Sequence, residues 1–147
     1  MSRTLTNAPA LPFVVGSIAM GAVSMQEIGG AVTLVGGVAA PYYSCSCAAS
    51  YTITLPPAVN GLRYKFYLES AVAGGQQLTF TSPNGAAFRG ILGTATTPFL
   101  PSGATFVRIN PTAFVGDFVE FVGQNSGQWF VSGQSGNTNA NAPFAIV

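Results

Sequence analysis

Leu62-Arg63-Tyr64-Lys65-Phe66-Tyr67-Leu68-Glu69 (62–69) alternates two kinds of residue without a break. Successive side chains of an extended chain point to opposite faces. Leu62, Tyr64, Phe66 and Leu68 therefore share one face, and Arg63, Lys65, Tyr67 and Glu69 the other. The pattern predicts a half-buried strand whose outer face meets water or a polar partner. Three of the chain's nine charges lie on it.

The same period runs outward from there. Tyr51-Thr52-Ile53-Thr54-Leu55 alternates until Pro56-Pro57 ends it, and 77–81, 87–92, 104–109, 118–122 and 128–132 follow. Turn-forming residues separate them: Asn60-Gly61, Gly74-Gly75, Pro83-Asn84-Gly85, Pro101-Ser102-Gly103, Gly116-Asp117 and Asn125-Ser126-Gly127. No segment shows a capped 3.6-residue period. Short strands at this spacing predict an all-β fold, an antiparallel, jelly-roll-like β-sandwich.

Three regions are expected: an apolar N-terminal arm over 1–30, a sandwich over 31–132, and a polar linker with an apolar tail over 133–147. The tail, Pro143-Phe144-Ala145-Ile146-Val147, needs a place to dock, on its own sheet edge or on a neighbour's. Residues 4–26 carry no charge, but Pro9, Pro12, Gly16 and Gly21 interrupt them. A buried, extended arm fits this stretch better than a signal peptide or a membrane span, which needs ~20 mostly apolar residues.

Composition narrows the function. Charged residues make up 6% of the chain, the net charge is +1, and there is no histidine, against ~25% charged in an average soluble domain. So little charge, with 48% apolar residues, points to a subunit that buries surface against others. Arg3, Arg63, Lys65, Arg89 and Arg108 are scattered along the chain, whereas nucleic-acid binding calls for basic residues in a cluster.

Residues for catalysis are scarce. Without histidine a Ser–His–Asp or Cys–His arrangement cannot form in one chain, and no Gly-rich loop opens a helix to cradle phosphate. The carboxylates are Glu27, Glu69, Asp117 and Glu120. A glycosidase needs two facing each other, but Asp117 and Glu120, three apart on a strand, project to opposite faces. Glu69 is free to approach either one in the fold. Asp117, beside Gly116, suits a turn in which a carboxylate accepts backbone N–H groups. Glu120 has Arg108 or Arg63 as cross-strand partners. Cys45 and Cys47 would share one strand face, which favours two small buried thiols over half a metal site. No catalytic, metal or cofactor-binding residue is assigned, no cofactor is expected, and the chain is not read as an enzyme. Tyr42, Tyr43, Tyr51, Tyr64, Tyr67 and Trp129 could form a sugar-binding platform, although aromatics at alternating strand positions more often belong to a core or subunit interface. Of Trp129 and Phe130, only one should face the core.

Two blocks resemble a β-rich module of structural proteins from tailed phages and large DNA viruses. The first lies within VTLVGGVAAPYYSCSCAASYTITLPPAVNGLRYKFYLES (32–70), in Ile53-Thr54-Leu55-Pro56 and Gly61-Leu62-Arg63-Tyr64-Lys65-Phe66. The second is Gly116-Asp117-Phe118-Val119-Glu120-Phe121 followed by Trp129-Phe130-Val131-Ser132-Gly133. The resemblance covers about two-thirds of the chain, roughly 32–133, and excludes the Cys45/Cys47 segment and the arm. It implies a virion protein without catalytic residues: a minor capsid or cement protein, or a fibre-like part, located in the capsid. Its partners would be the major capsid protein and other capsid proteins, and its own copies as a homotrimer, with no nucleic acid and no membrane span. The alternative is a receptor- or glycan-binding knob on the virion surface.

Overall fold

The strand predicted at 62–69 forms over Arg63–Leu68. Tyr64, Phe66 and Leu68 are buried, while Arg63 and Glu69 are exposed, and Leu62 is only partly covered at the strand's entry. The computed structural model describes residues 25–36, 42–72, 74–83, 88–94, 98–99, 102–137 and 143–146. In chain order its strands are β1 (Gln26–Ile28), β2 (Val32–Thr33), β3 (Tyr42–Cys45), β4 (Tyr51–Thr54), β5 (Arg63–Leu68), β6 (Leu78–Thr81) and β7 (Phe88–Gly93). They continue as β8 (Pro98–Phe99), β9 (Ser102–Ala104), β10 (Phe106–Ile109), β11 (Phe118–Gly123), β12 (Trp129–Gln134) and β13 (Phe144–Ile146). Among the described residues there is no helix, and so none long and apolar enough to cross a membrane.

The strands form two sheets packed face to face, a β-sandwich. The larger has eight strands in the order β1-β3-β5-β11-β12-β7-β8, with β9 also on β7; the smaller runs β13-β10-β6-β4-β2. The expected all-antiparallel pairing is not what forms: β1–β3, β3–β5, β12–β7, β2–β4 and β4–β6 pair parallel. From β1 to β7 each strand lies in the sheet opposite its predecessor. A chain that visits the other sheet before returning comes back in its original direction, so β1, β3 and β5, and likewise β2, β4 and β6, become parallel neighbours. The β11–β12 hairpin separates β5 from β7, and its β12 pairs parallel with β7. Parallel pairing always needs such a crossover, usually through a helix; here a strand of the facing sheet supplies it. The Asn60-Gly61 turn thus carries the chain across the sandwich from β4 to β5 instead of closing a hairpin. This coiling path, rather than Greek-key connections, organises the first half. By contrast, β11 and β12 are a true hairpin closed at Gln124–Gln128, with Gly127 at φ 74°.

The predicted strand 104–109 is split at Thr105, where the chain changes sheet: β9 pairs with β7, and β10 with β6 and β13. Between the sheets lies an aromatic core. Phe80 of the smaller sheet sits 4.8 Å from Phe66 and 4.9 Å from Phe121, centroid to centroid. Trp129 and Phe88 are fully buried beside Phe121, and Trp129, rather than Phe130, is the inward member of its pair.

The two ends of the chain are drawn into the sheets. Gln26–Ile28, inside the expected arm, pairs with β3, and Ile28 is buried; residues 1–24 lie outside the described residues. Gly133 and Gln134 extend β12, and Ser135 and Asn137 are buried, so the segment expected to start a linker belongs to the fold up to Asn137. Phe144–Ile146 pairs antiparallel with β10, which places this part of the tail on its own sheet edge.

Candidate functional site

The alternation that turns Tyr64 and Phe66 inward turns Arg63, Lys65 and Tyr67 outward, and register extends this across the larger sheet. One row reads Tyr42, Lys65, Glu120, Ser132, Ile91; the next reads Glu27, Ser44, Tyr67, Phe118, Gln134; a third reads Arg63, Val122, Phe130, Arg89. Five of the nine charges therefore share one face, with three aromatic side chains among them on β5, β11 and β12 and Tyr42 on β3. Signs are mixed, so the face has no basic stripe. Arg63 Nε lies 3.2 Å from Glu120 Oε1, with the arginine side chain 59% exposed, a pair that contributes roughly 0–1 kcal/mol in water. Arg108, the other expected partner of Glu120, is on the smaller sheet. Lys65 Nζ lies 4.2 Å from the Phe118 ring centroid and 5.1 Å from that of Tyr67, and the two rings are 6.1 Å apart.

Toward the β1 edge this face becomes an open groove of about 610 Å³, lined by Met25, Tyr42, Ser44, Tyr67, Leu68 and Glu69. Tyr42, Ser44 and Tyr67 are the outward residues of β3 and β5. Glu69 closes one end, its N–H donating to the Cys45 carbonyl at 2.9 Å. The six aromatics proposed as a platform do not assemble. Tyr43, Tyr51, Tyr64 and Trp129 are core residues, and only Tyr42 and Tyr67 reach the groove. The buried phenols are held from inside: Tyr51 donates to the Ile28 carbonyl at 3.0 Å and Tyr64 to the Val35 carbonyl at 3.2 Å. The parity of Tyr42-Tyr43-Ser44-Cys45 could have separated Tyr42 from Tyr43, since adjacent strand residues cannot share a face. Nothing in the sequence signals Met25.

The smaller sheet presents a different surface. Its outward rows are Thr33, Thr54, Thr81, Phe106 and Thr52, Thr79, Arg108, Ala145. Thr81 Oγ1 and Thr54 Oγ1 are 3.4 Å apart, and the Arg108 guanidinium stacks 4.8 Å from the Phe106 centroid. Five threonines and one charge make this face polar and nearly neutral.

The other titratable groups are committed to structure. Cys45 and Cys47 are free and buried. Burial, reinforced by the neighbouring Cys47, pushes the Cys45 thiol up to about 12, and burial raises Cys47 as well. Neither offers a thiolate near neutral pH, the form that attacks or binds metal. Burial likewise raises Tyr51, which lies beside both thiols. Asp117 is 4% exposed. It accepts the Phe114 N–H at 2.8 Å, the Gly136 N–H at 2.9 Å and the Ser135 hydroxyl, tying two loops together. Its side chain is turned inward, and that of Glu120 outward to Arg63. Among the described residues, no group of three or more Cys, Asp or Glu could hold a metal ion. No family model, curated protein or solved structure matches the chain.

Proposed function

We propose that this chain is a structural protein of a virus particle, a minor capsid or cement protein that fills contacts between capsomers. Its partners in this reading are the major capsid protein, other capsid proteins and its own copies as a homotrimer, and it has no catalytic role. The observation that carries the proposal is the threonine face of the smaller sheet. Covering a charged surface costs several kcal/mol per unpaired ion. A hydroxyl costs roughly 1–3 kcal/mol and recovers much of that by hydrogen bonding across the contact. A face with five threonines and a single cation, already stacked on Phe106, therefore costs less to cover by a neighbouring capsid subunit than the larger sheet's face with its five charges. With net charge +1, shape and hydrogen bonding across the contact, rather than long-range attraction, would select the partner. The virion assignment itself comes from the resemblance of the 53–66 and 116–133 blocks.

Copurification with particles, retained through salt washing, tests the assignment. Thr52→Lys with Thr79→Glu places two charges of opposite sign on register partners of the face, with Glu beside Arg108, and should release the protein from particles while its denaturant midpoint changes little. Retention of the double variant at undiminished salt resistance would remove the threonine face from the interface. The solution mass of the isolated chain tests the trimer.

A further inference from the structure

We infer that the groove between Tyr42 and Tyr67 is a binding site for a neutral saccharide. A pyranose ring carries apolar C–H faces and a rim of hydroxyls, so its receptor needs exposed aromatic faces beside hydrogen-bonding groups. Tyr42 and Tyr67, both half-buried, supply the rings, Ser44 a hydroxyl in register with Tyr67, and Glu69 an exposed carboxylate whose oxygens can accept from sugar hydroxyls. The volume of about 610 Å³ lies within the ~300–1,000 Å³ range of small-molecule sites. The Tyr67 ring is held in advance by Lys65 and Phe118 on the same face, which lowers the ordering cost of binding.

Charge selects among sugars. The lining contains Glu69 and no cation, and Glu27 is in register with Ser44 on the adjacent strand. The ammonium of Lys65 lies over the Phe118 and Tyr67 rings and offsets one of these two carboxylates, which leaves the surroundings of the groove net acidic. Sialylated or uronic saccharides would bring a carboxylate against two others. The inference stands apart from the assembly proposal, since the groove lies on the larger sheet and the threonine face on the smaller.

The test is ligand-observed saturation-transfer NMR on the full chain with lactose, maltotriose, mannotriose and N-acetylchitotriose, using 3′-sialyllactose and choline as contrasting probes. Saturation of ring C–H protons should appear for at least one neutral saccharide and not for sialyllactose. Tyr42→Ala should weaken that binding about tenfold, ~1.4 kcal/mol. Glu69→Gln, an exposed change that leaves the core untouched, should weaken it several-fold and separates loss of the site from loss of the fold. The inference is overturned if none of the four neutral saccharides binds, if Tyr42→Ala and Glu69→Gln both bind like the parent, if sialyllactose is preferred, or if choline alone occupies the groove.

Discussion

Replacing Phe66 with alanine tests the face assignment on which both surfaces depend. Phe66 is 1% exposed and lies at the centre of the sandwich. Tyr43 is stacked on it at 5.2 Å, with Phe80 at 4.8 Å and Phe121 at 5.9 Å. Phe→Ala changes in cores cost about 3–5 kcal/mol, the larger values arising where the surroundings cannot collapse. Here Tyr43, Phe66 and Phe121 sit on three adjacent strands locked by two ladders, and Phe80 is fixed in the facing sheet. Little relaxation is possible, and the three lost ring contacts, each worth ~0.5–1.5 kcal/mol, favour the upper end. A loss of ~4–5 kcal/mol is a large share of the ~5–15 kcal/mol that stabilises a typical domain. The neighbouring control is Lys65→Ala. Its side chain points outward but crosses the Phe118 and Tyr67 rings, so it should cost ~0.5–1 kcal/mol, more than a solvated lysine would. A urea titration of both variants should give a midpoint for Phe66→Ala far below that of Lys65→Ala, with unchanged slopes. Losses within ~1 kcal/mol of each other would mean that β5 does not present Phe66 to the core.

Asp117→Asn replaces an acceptor of three donors with a group that must present an N–H to one of them, which should cost about 1.5–3 kcal/mol; native-state hydrogen exchange at Phe114 and Gly136 should accelerate, and parent-like protection there would contradict the loop-tying role. Gly90 has φ 150°, and a Cβ there would collide with the Val131 carbonyl oxygen on β12; Gly90→Ala should therefore abolish soluble folded protein or sharply lower its melting temperature, whereas a parent-like melt would show that β7 and β12 can separate. Because Cys45 is raised from 9.0 to about 12, the folded state holds its proton more tightly than the unfolded chain does. That stabilisation is complete below pH 9 and is lost as pH rises toward about 12, so the parent should lose urea stability across this window more steeply than Cys45→Ala, and parallel profiles would refute the linkage.

Local structure was legible in the sequence where period 2 was strong. Tyr64, Phe66 and Leu68 face inward as the alternation requires, and so do Ile53, Phe80, Val119 and Phe121. The backbone contacts of Asp117 followed from turn chemistry, whereas for Glu120 the sequence offered both Arg63 and Arg108, and the sheet register selects Arg63. Pairing direction was not legible. Asn60-Gly61 has the same residues whether it reverses a chain within one sheet or hands it to the other, and only the packing of the two sheets decides. Short edge strands gave no periodic signal, having three residues each: Gln26–Ile28 was hidden within the expected arm, and Phe144–Ile146 was legible only as a tail that docks on a sheet edge, its own or a neighbour's. The groove needed the pairing as well as the parity, since Tyr42 and Tyr67 line it together because β3 and β5 are parallel neighbours.

The alternating path also explains why charges that look scattered in sequence gather in space. Within a strand, parity decides whether a side chain faces the core; along the chain up to β7, strand number decides which sheet presents it. Glu27, Arg63, Lys65 and Arg89 come from β1, β5 and β7, all in the larger sheet, whereas Thr33, Thr52, Thr54, Thr79 and Thr81 come from β2, β4 and β6, all in the smaller. The two chemistries interleave along the sequence and segregate on the fold. A chain with nine charges can then keep one face solvated while the other remains nearly neutral. The proposed particle role would use that division: a face that can be covered and a face that stays exposed. The groove between Tyr42 and Tyr67 lies on the second, so the proposed saccharide site would stay reachable if the first were covered.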